Sequence, residues 1–174
     1  MDRMAHQDET DTTLAERQAR RAALAPGAQV GIDEAMVQRV VHSFYGRIRT
    51  DALLGPIFNG AIGDRWDTHL ANMVDFWSSV VLMTGRYAGR PMQAHLKLDH
   101  TRGEQGMPRL DQPHFDHWLA LFRATVAEIC PPDAAALFVA RAEKIAQSFV
   151  LGIRFNRGET PDWLGPARSE PVNS

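Results

Sequence analysis

Apolar residues recur along this chain at three- and four-residue steps in long stretches, with polar residues filling the positions between them. The first stripe, Met36, Val37, Val40, Val41, Phe44, Tyr45 and Ile48, predicts a helix from an Asp33 N-cap to about Arg49, with Glu34 in its first turn. Leu53 to Phe58 then form a compact apolar turn around Gly55-Pro56, with Phe58 pointing inward. A second helix, capped by Asp64 and stopped by Gly85, carries Trp66, His69, Leu70, Met73, Phe76, Trp77, Val80 and Val81 on its inner face. Pro91 opens a short helix bearing His95, and the polar stretch from Asp99 to Gln112 reads as an exposed loop. Pro113 starts a third long helix with Phe115, Trp118, Leu119, Phe122, Val126 and Ile129 on one stripe, ended by Pro131-Pro132. Asp133 caps a fourth, with Leu137, Phe138, Ile145, Phe149 and Ile153 inward. No segment alternates with period two and no internal repeat is present, so the expected fold class is all-α.

The ends differ from this pattern. Residues 1–30 are mostly Asp, Glu, Gln, Arg and Ala, with Leu14 and Leu24 too isolated to anchor a core. They read as a flexible extension, transiently helical from Thr12 to Leu24 and ended by Pro26-Gly27. After Phe155, glycine, proline, serine and charge take over, and residues 157–174 read as a second flexible tail. A single domain is expected over residues 31–156, since 174 residues at 44% hydrophobic content fill one core comfortably.

Composition narrows the function classes. With 19 basic and 21 acidic residues the chain has no large field of either sign, which argues against nucleic acid or an anionic membrane as partner. Cys130 is the only cysteine, so an intramolecular disulfide and a cysteine-built metal cage are excluded. No secretory signal core and no membrane-length apolar run are visible, and the expectation is a soluble, cytoplasmic protein, monomeric or a weak homodimer.

Four polar-tipped residues carry the candidate chemistry. Tyr45, His69 and Trp118 lie on the inner stripes of three different long helices, and His95 sits alone on a fourth, short one. Singly, each is an ordinary core residue whose polar tip finds a backbone partner. Together they are harder to explain, because each buried donor left unpaired costs about 1 to 3 kcal/mol. No His-x-x-x-His or Glu-x-x-His pair lies among the inner-face residues, so a dedicated zinc or di-iron site lacks its usual spacing.

Phe44-Tyr45, Leu54-Gly55-Pro56-Ile57-Phe58-Asn59, Trp66 with His69, Phe76-Trp77, Gly89-Arg90-Pro91 with His95-Leu96, and Trp118-Leu119-Ala120-Leu121-Phe122 occur in this order between Asp33 and Phe155. In that order they resemble the truncated haemoglobins of the third group, which keep a distal histidine and lack the double-glycine motifs of the other two. The resemblance implies a shortened globin, two helices packed on two around haem b. It implies His95 as the proximal iron ligand, Tyr45 and Trp118 as distal hydrogen-bond donors, and His69 at the distal mouth. Phe58 matches the phenylalanine that packs on the haem face, Met73 lies one turn beyond His69, and Phe76 and Trp77 are further pocket candidates. Arg90, Lys97, His100 and Arg102 are candidate propionate partners by charge and proximity in sequence. The extension before Asp33 and the loop from Asp99 to Gln112 look longer than the family minimum.

What the resemblance implies for function is binding of dioxygen or another diatomic ligand in a polar pocket. That suits oxygen, peroxide or nitric oxide chemistry, including a peroxidase-like activity, better than bulk transport, and requires a reductase. A bis-histidyl electron-transfer or redox-sensing protein, with His69 as sixth ligand, and a non-haem helical interaction module remain open at this stage.

Overall fold

The computed structural model describes residues 16–17, 19–20 and 23–159; the expected tail beyond 159 and part of the Thr12–Leu24 segment lie outside them. Seven helices follow in order among the described residues: α1 (Pro26–Gln29), α2 (Glu34–Thr50), α3 (Gly55–Ile62), α4 (Trp66–Leu82), α5 (Pro91–Glu104), α6 (Gln112–Ile129) and α7 (Pro132–Asn156). Among the described residues there is no strand, and no helix is long and apolar enough to cross a membrane.

The two-on-two arrangement follows from which stripes meet. α2 packs on both α4 and α6, and α6 packs on α7. The predicted α2 stripe is buried as a unit, from Met36 to Ile48. At its centre Phe44 meets Tyr45, Trp118 and Phe122 edge-on, with ring centroids 5.1 to 5.3 Å apart. Behind it, Trp77 stacks on Phe122 at 4.8 Å and meets Phe138 at 5.8 Å, which joins α4, α6 and α7 in one aromatic core.

Helix ends depart from the sequence reading in several places, each for a local reason. Asp33 caps α2 as expected, its carboxylate accepting from the Met36 N–H at 2.7 Å. The apolar turn at Gly55-Pro56 is instead the start of α3: proline in a first turn has no N–H to lose, and Asp51 accepts from the Leu53 and Leu54 N–H groups at 2.9 and 2.8 Å. Asp64 does not cap α4; the N-cap is Arg65, whose guanidinium turns back to donate to the Ala61 and Ile62 carbonyls at the end of α3. α4 stops at Leu82, ahead of Gly85, with Met83 at φ 57° as a left-handed C-cap. Asp111 caps α6, which starts at Gln112, one residue before the expected Pro113, with His114 returning a contact to the Asp111 N–H. For α7 the N-cap is Pro131, and Asp133 sits in the first turn.

Two segments expected to be loose are partly folded in. The short helix α1 packs on α4, and Ala25 and Gly27 are buried. Gly27 lies so close to α4 that an added Cβ would come 2.6 Å from the Val81 carbonyl oxygen, and only glycine permits that approach. The segment after His95 is not all loop: α5 runs on to Glu104, and Asp99 and Leu110 are buried.

Candidate functional site

The expected site residues fall into two groups. Tyr45 projects from α2 into a ring contact with His69 of α4, centroids 5.1 Å apart and nearly perpendicular. Trp66, one turn before His69, closes the same cluster at 5.7 Å from His69 and 6.4 Å from Tyr45. Phe58 of α3 lies 6.1 Å from Tyr45. Trp118 reaches this group across Phe44, which it meets at 5.3 Å while lying flat on Phe122 at 5.4 Å. Tyr45 and His69 are thus in direct contact, and Trp118 is joined to them through Phe44.

His95 stands apart from these rings, against α6 and α7. Its Nδ1 lies 2.7 Å from the Pro91 carbonyl oxygen, one turn earlier on α5. A carbonyl accepts only, so Nδ1 carries the proton and the lone pair of Nε2 is left for a metal. The ring is stacked on Phe149 of α7 at 4.0 Å and lies 6.5 Å from Phe115 of α6.

Burial disfavours the charged form of both histidines. Burial pushes the His95 pKa below its ordinary value, against the hydrogen bond to Pro91, which works the other way. His69 is also pushed down, first by burial and then by the nearness of the basic groups of His95 and Arg65. Tyr45 is pushed well above the usual phenol value, mainly by burial and then by Tyr87, so its hydroxyl stays a donor.

These residues fit a flat, apolar, metal-bearing group. The buried His69 Nε2 has no hydrogen-bond partner, although an unpaired buried nitrogen of this kind costs about 1 to 3 kcal/mol. Leu70 and Met73 on α4, Leu96 on α5, and Trp118 and Leu119 on α6 are packed against the core yet only half-buried. Among the described residues there is no cluster of three or more His, Cys, Asp or Glu side chains that could hold an ion unaided.

Not every expected residue lies at this surface. Phe76 is half-buried between Trp77 and Tyr87, at 5.5 and 5.2 Å. Trp77 is 1% exposed inside the aromatic core, which places it behind the pocket wall. Of the cationic candidates on and before α5, Arg102 donates to the Pro108 carbonyl at 2.7 Å and His100 pairs with Glu104 at 3.2 Å. An open groove of about 680 Å³ lies on the outer side of α2 and α3, lined by Gly46, Arg49, Thr50, Asn59, Gly63 and Trp66. Trp66 is thus the partition between that groove and the Tyr45–His69 cluster, with the Arg49 guanidinium 4.8 Å over its ring. Sequence reasoning missed the roles of Trp66 and Phe149. Both were visible as inward-facing aromatics, but nothing in their spacing shows which polar residue they touch.

No family model matches the chain. It is 32% identical over 121 residues to the group 3 truncated hemoglobin ctb of Campylobacter jejuni, an alignment covering 68% of this chain and 88% of that protein. The group 1 truncated hemoglobin GlbN of a Nostoc species is 36% identical over 81 residues, covering 46% of this chain and 58% of that one. Among solved structures, the group III truncated hemoglobin from Campylobacter jejuni superposes with a TM-score of 0.62 at 30% identity, over 70% of this chain and 91% of that one.

Proposed function

This chain belongs to the group III truncated haemoglobins, and on that premise we propose that it holds haem b between α4 and α5, with His95 as the iron ligand, and binds a diatomic molecule on the His69 side. When bound, haem supplies a ferrous iron that takes oxygen, nitric oxide or carbon monoxide as a reversible ligand. The chain supplies the rest. Pro91 fixes the His95 tautomer and raises the basicity of its free nitrogen. Phe58 and Met73 provide apolar surface, while Tyr45, Trp118 and His69 provide polar contacts to the ligand.

The unpartnered His69 Nε2 is the observation that carries this reading. Each charge-assisted hydrogen bond from the distal groups contributes about 1.5 to 3 kcal/mol to ligand retention, or roughly 10- to 150-fold in release rate. Such retention suits oxygen, peroxide or nitric oxide chemistry and opposes rapid delivery. A cytoplasmic reductase that keeps the iron ferrous belongs to the same reading.

The same unpartnered nitrogen supports a second reading, in which His69 becomes the sixth ligand and the protein transfers electrons. Absorption spectra of the haem-loaded protein with dithionite separate the two. A five-coordinate high-spin ferrous spectrum supports ligand binding, a low-spin bis-histidyl spectrum supports electron transfer, and failure to bind haem at one per chain contradicts both.

A further inference from the structure

The helix bearing His95 is not held by an apolar stripe. Its one buried residue is Asp99, a carboxylate 2% exposed, one turn beyond His95 on the same face of α5. Both oxygens of that carboxylate are engaged, by three hydrogen bonds and one longer ion pair. Oδ1 accepts from the Leu110 N–H at 2.9 Å and from Arg157 Nη2; Oδ2 accepts from Arg157 Nε at 3.0 Å, with Arg109 Nε 3.7 Å away. The same Arg157 Nη2 donates to the Leu110 carbonyl. Arg157 is the C-cap of α7, so one guanidinium joins the second half of α5, the return segment through Leu110, and the end of α7.

Two further contacts place α5 on α7, and both are of kinds that slide. Met92 lies over Gly152, where an added Cβ would come 2.6 Å from its sulfur, and the His95 ring lies flat on Phe149. Flat stacking and a flexible thioether define a face but not a height along the helix. A two-pronged guanidinium–carboxylate pair, closed through a backbone N–H and carbonyl, is directional and fixes that height.

We infer that Asp99, clamped by Arg157, is a positioning residue for His95: it sets the height and tilt at which the imidazole meets the iron. The inference rests on His95 being the iron ligand. Removing the clamp lets α5 shift against α7, and one rigid helical turn carries the shift to His95.

The test uses the ferrous, ligand-free, haem-loaded protein and reads the iron–histidine stretching band by resonance Raman, haem transfer to apomyoglobin, and urea unfolding. Asp99→Asn keeps the acceptor for Leu110 but loses the charge, and Arg157→Lys keeps the charge but loses the fork. Both variants are expected to shift or broaden the band and to speed haem loss by at least about tenfold, as loss of a metal-ligand support does. Arg157→Lys, the milder change at the helix end, carries the test if Asp99→Asn does not fold. A band unchanged in position and width, whatever happens to stability, overturns the proposal and leaves the pair a purely structural one. Absence of the band from an unmutated protein whose ferrous haem is five-coordinate and high-spin overturns instead the assignment of His95 as ligand, and the positioning role with it. In a bis-histidyl protein, which shows no such band, haem transfer from the two variants decides, and an unchanged rate overturns the proposal.

Discussion

The imidazole of His95 lies face to face with the ring of Phe149, centroids 4.0 Å apart and 19° from parallel. With Nδ1 tied to the Pro91 carbonyl, the stack fixes the plane in which the ring lies while leaving its height along the helix to other contacts. Phe149 is half-buried, and Phe149→Ala is expected to cost about 2 kcal/mol of stability, below the range for a fully buried phenylalanine. Urea unfolding reads that cost. Haem transfer to apomyoglobin should also quicken, and an unchanged transfer rate would show that the stack does not hold the ligand.

On the opposite side, Tyr45 is buried, its hydroxyl remains protonated, and its ring edge meets His69. Tyr45→Phe should raise the oxygen dissociation rate by at least about tenfold in stopped-flow measurements, the lower end for a charge-assisted hydrogen bond. A rate equal to that of the unmutated protein would remove Tyr45 from ligand retention.

Trp77 offers the contrasting case. Because it is enclosed by Phe122 and Phe138, Trp77→Ala should destabilise the fold by about 3 to 5 kcal/mol. The milder Trp77→Phe should leave oxygen dissociation within about twofold of the unmutated rate, since the site is reached only through intervening side chains. A large kinetic change in a folded Trp77→Phe protein would return Trp77 to the pocket lining.

The corner between α2 and α3 titrates in acid. Burial raises the Asp51 carboxyl, but hydrogen bonds from His117, at 2.7 Å, and from the Leu54 and Leu53 N–H groups outweigh it, and the net pKa is lowered. A lowered carboxylate pKa gives stability that is present above the unfolded value near 4 and is lost as pH falls through the folded value. Asp51→Ala should therefore cost about 1 to 2 kcal/mol at pH 7, as loss of a cap does. That difference should shrink in denaturation curves taken below about pH 4; a difference constant down to pH 2 would contradict the assignment.

The long stripes were legible because burial writes a 3.6-residue period into the sequence. Met36 to Ile48, and Phe115 with Phe122 and Val126, are buried where their spacing puts them. Family membership was legible through motif order, and the histidines, tyrosine and tryptophan could be named from it. Less legible was whatever depends on backbone closeness or charge pairing across long separations. Gly27 against Val81 resembles an ordinary tail glycine in sequence, and Asp99 with Arg157, 58 residues apart, reads as two solvated charges. The helical start at Gly55-Pro56 was missed because proline stops a helix it follows and starts a helix it opens, and spacing alone does not separate the two cases.

The account stands on His95 Nε2 as the protein's bond to iron. The most direct measurement is the ferrous absorption spectrum, with carbon monoxide binding kinetics, of a His95→Gly variant prepared with haem, before and after adding free imidazole. The expected result is loss of the wild-type ferrous spectrum and its return when imidazole occupies the space left by the side chain. A His95→Gly protein that keeps the wild-type Soret band and carbon monoxide kinetics without imidazole would contradict it.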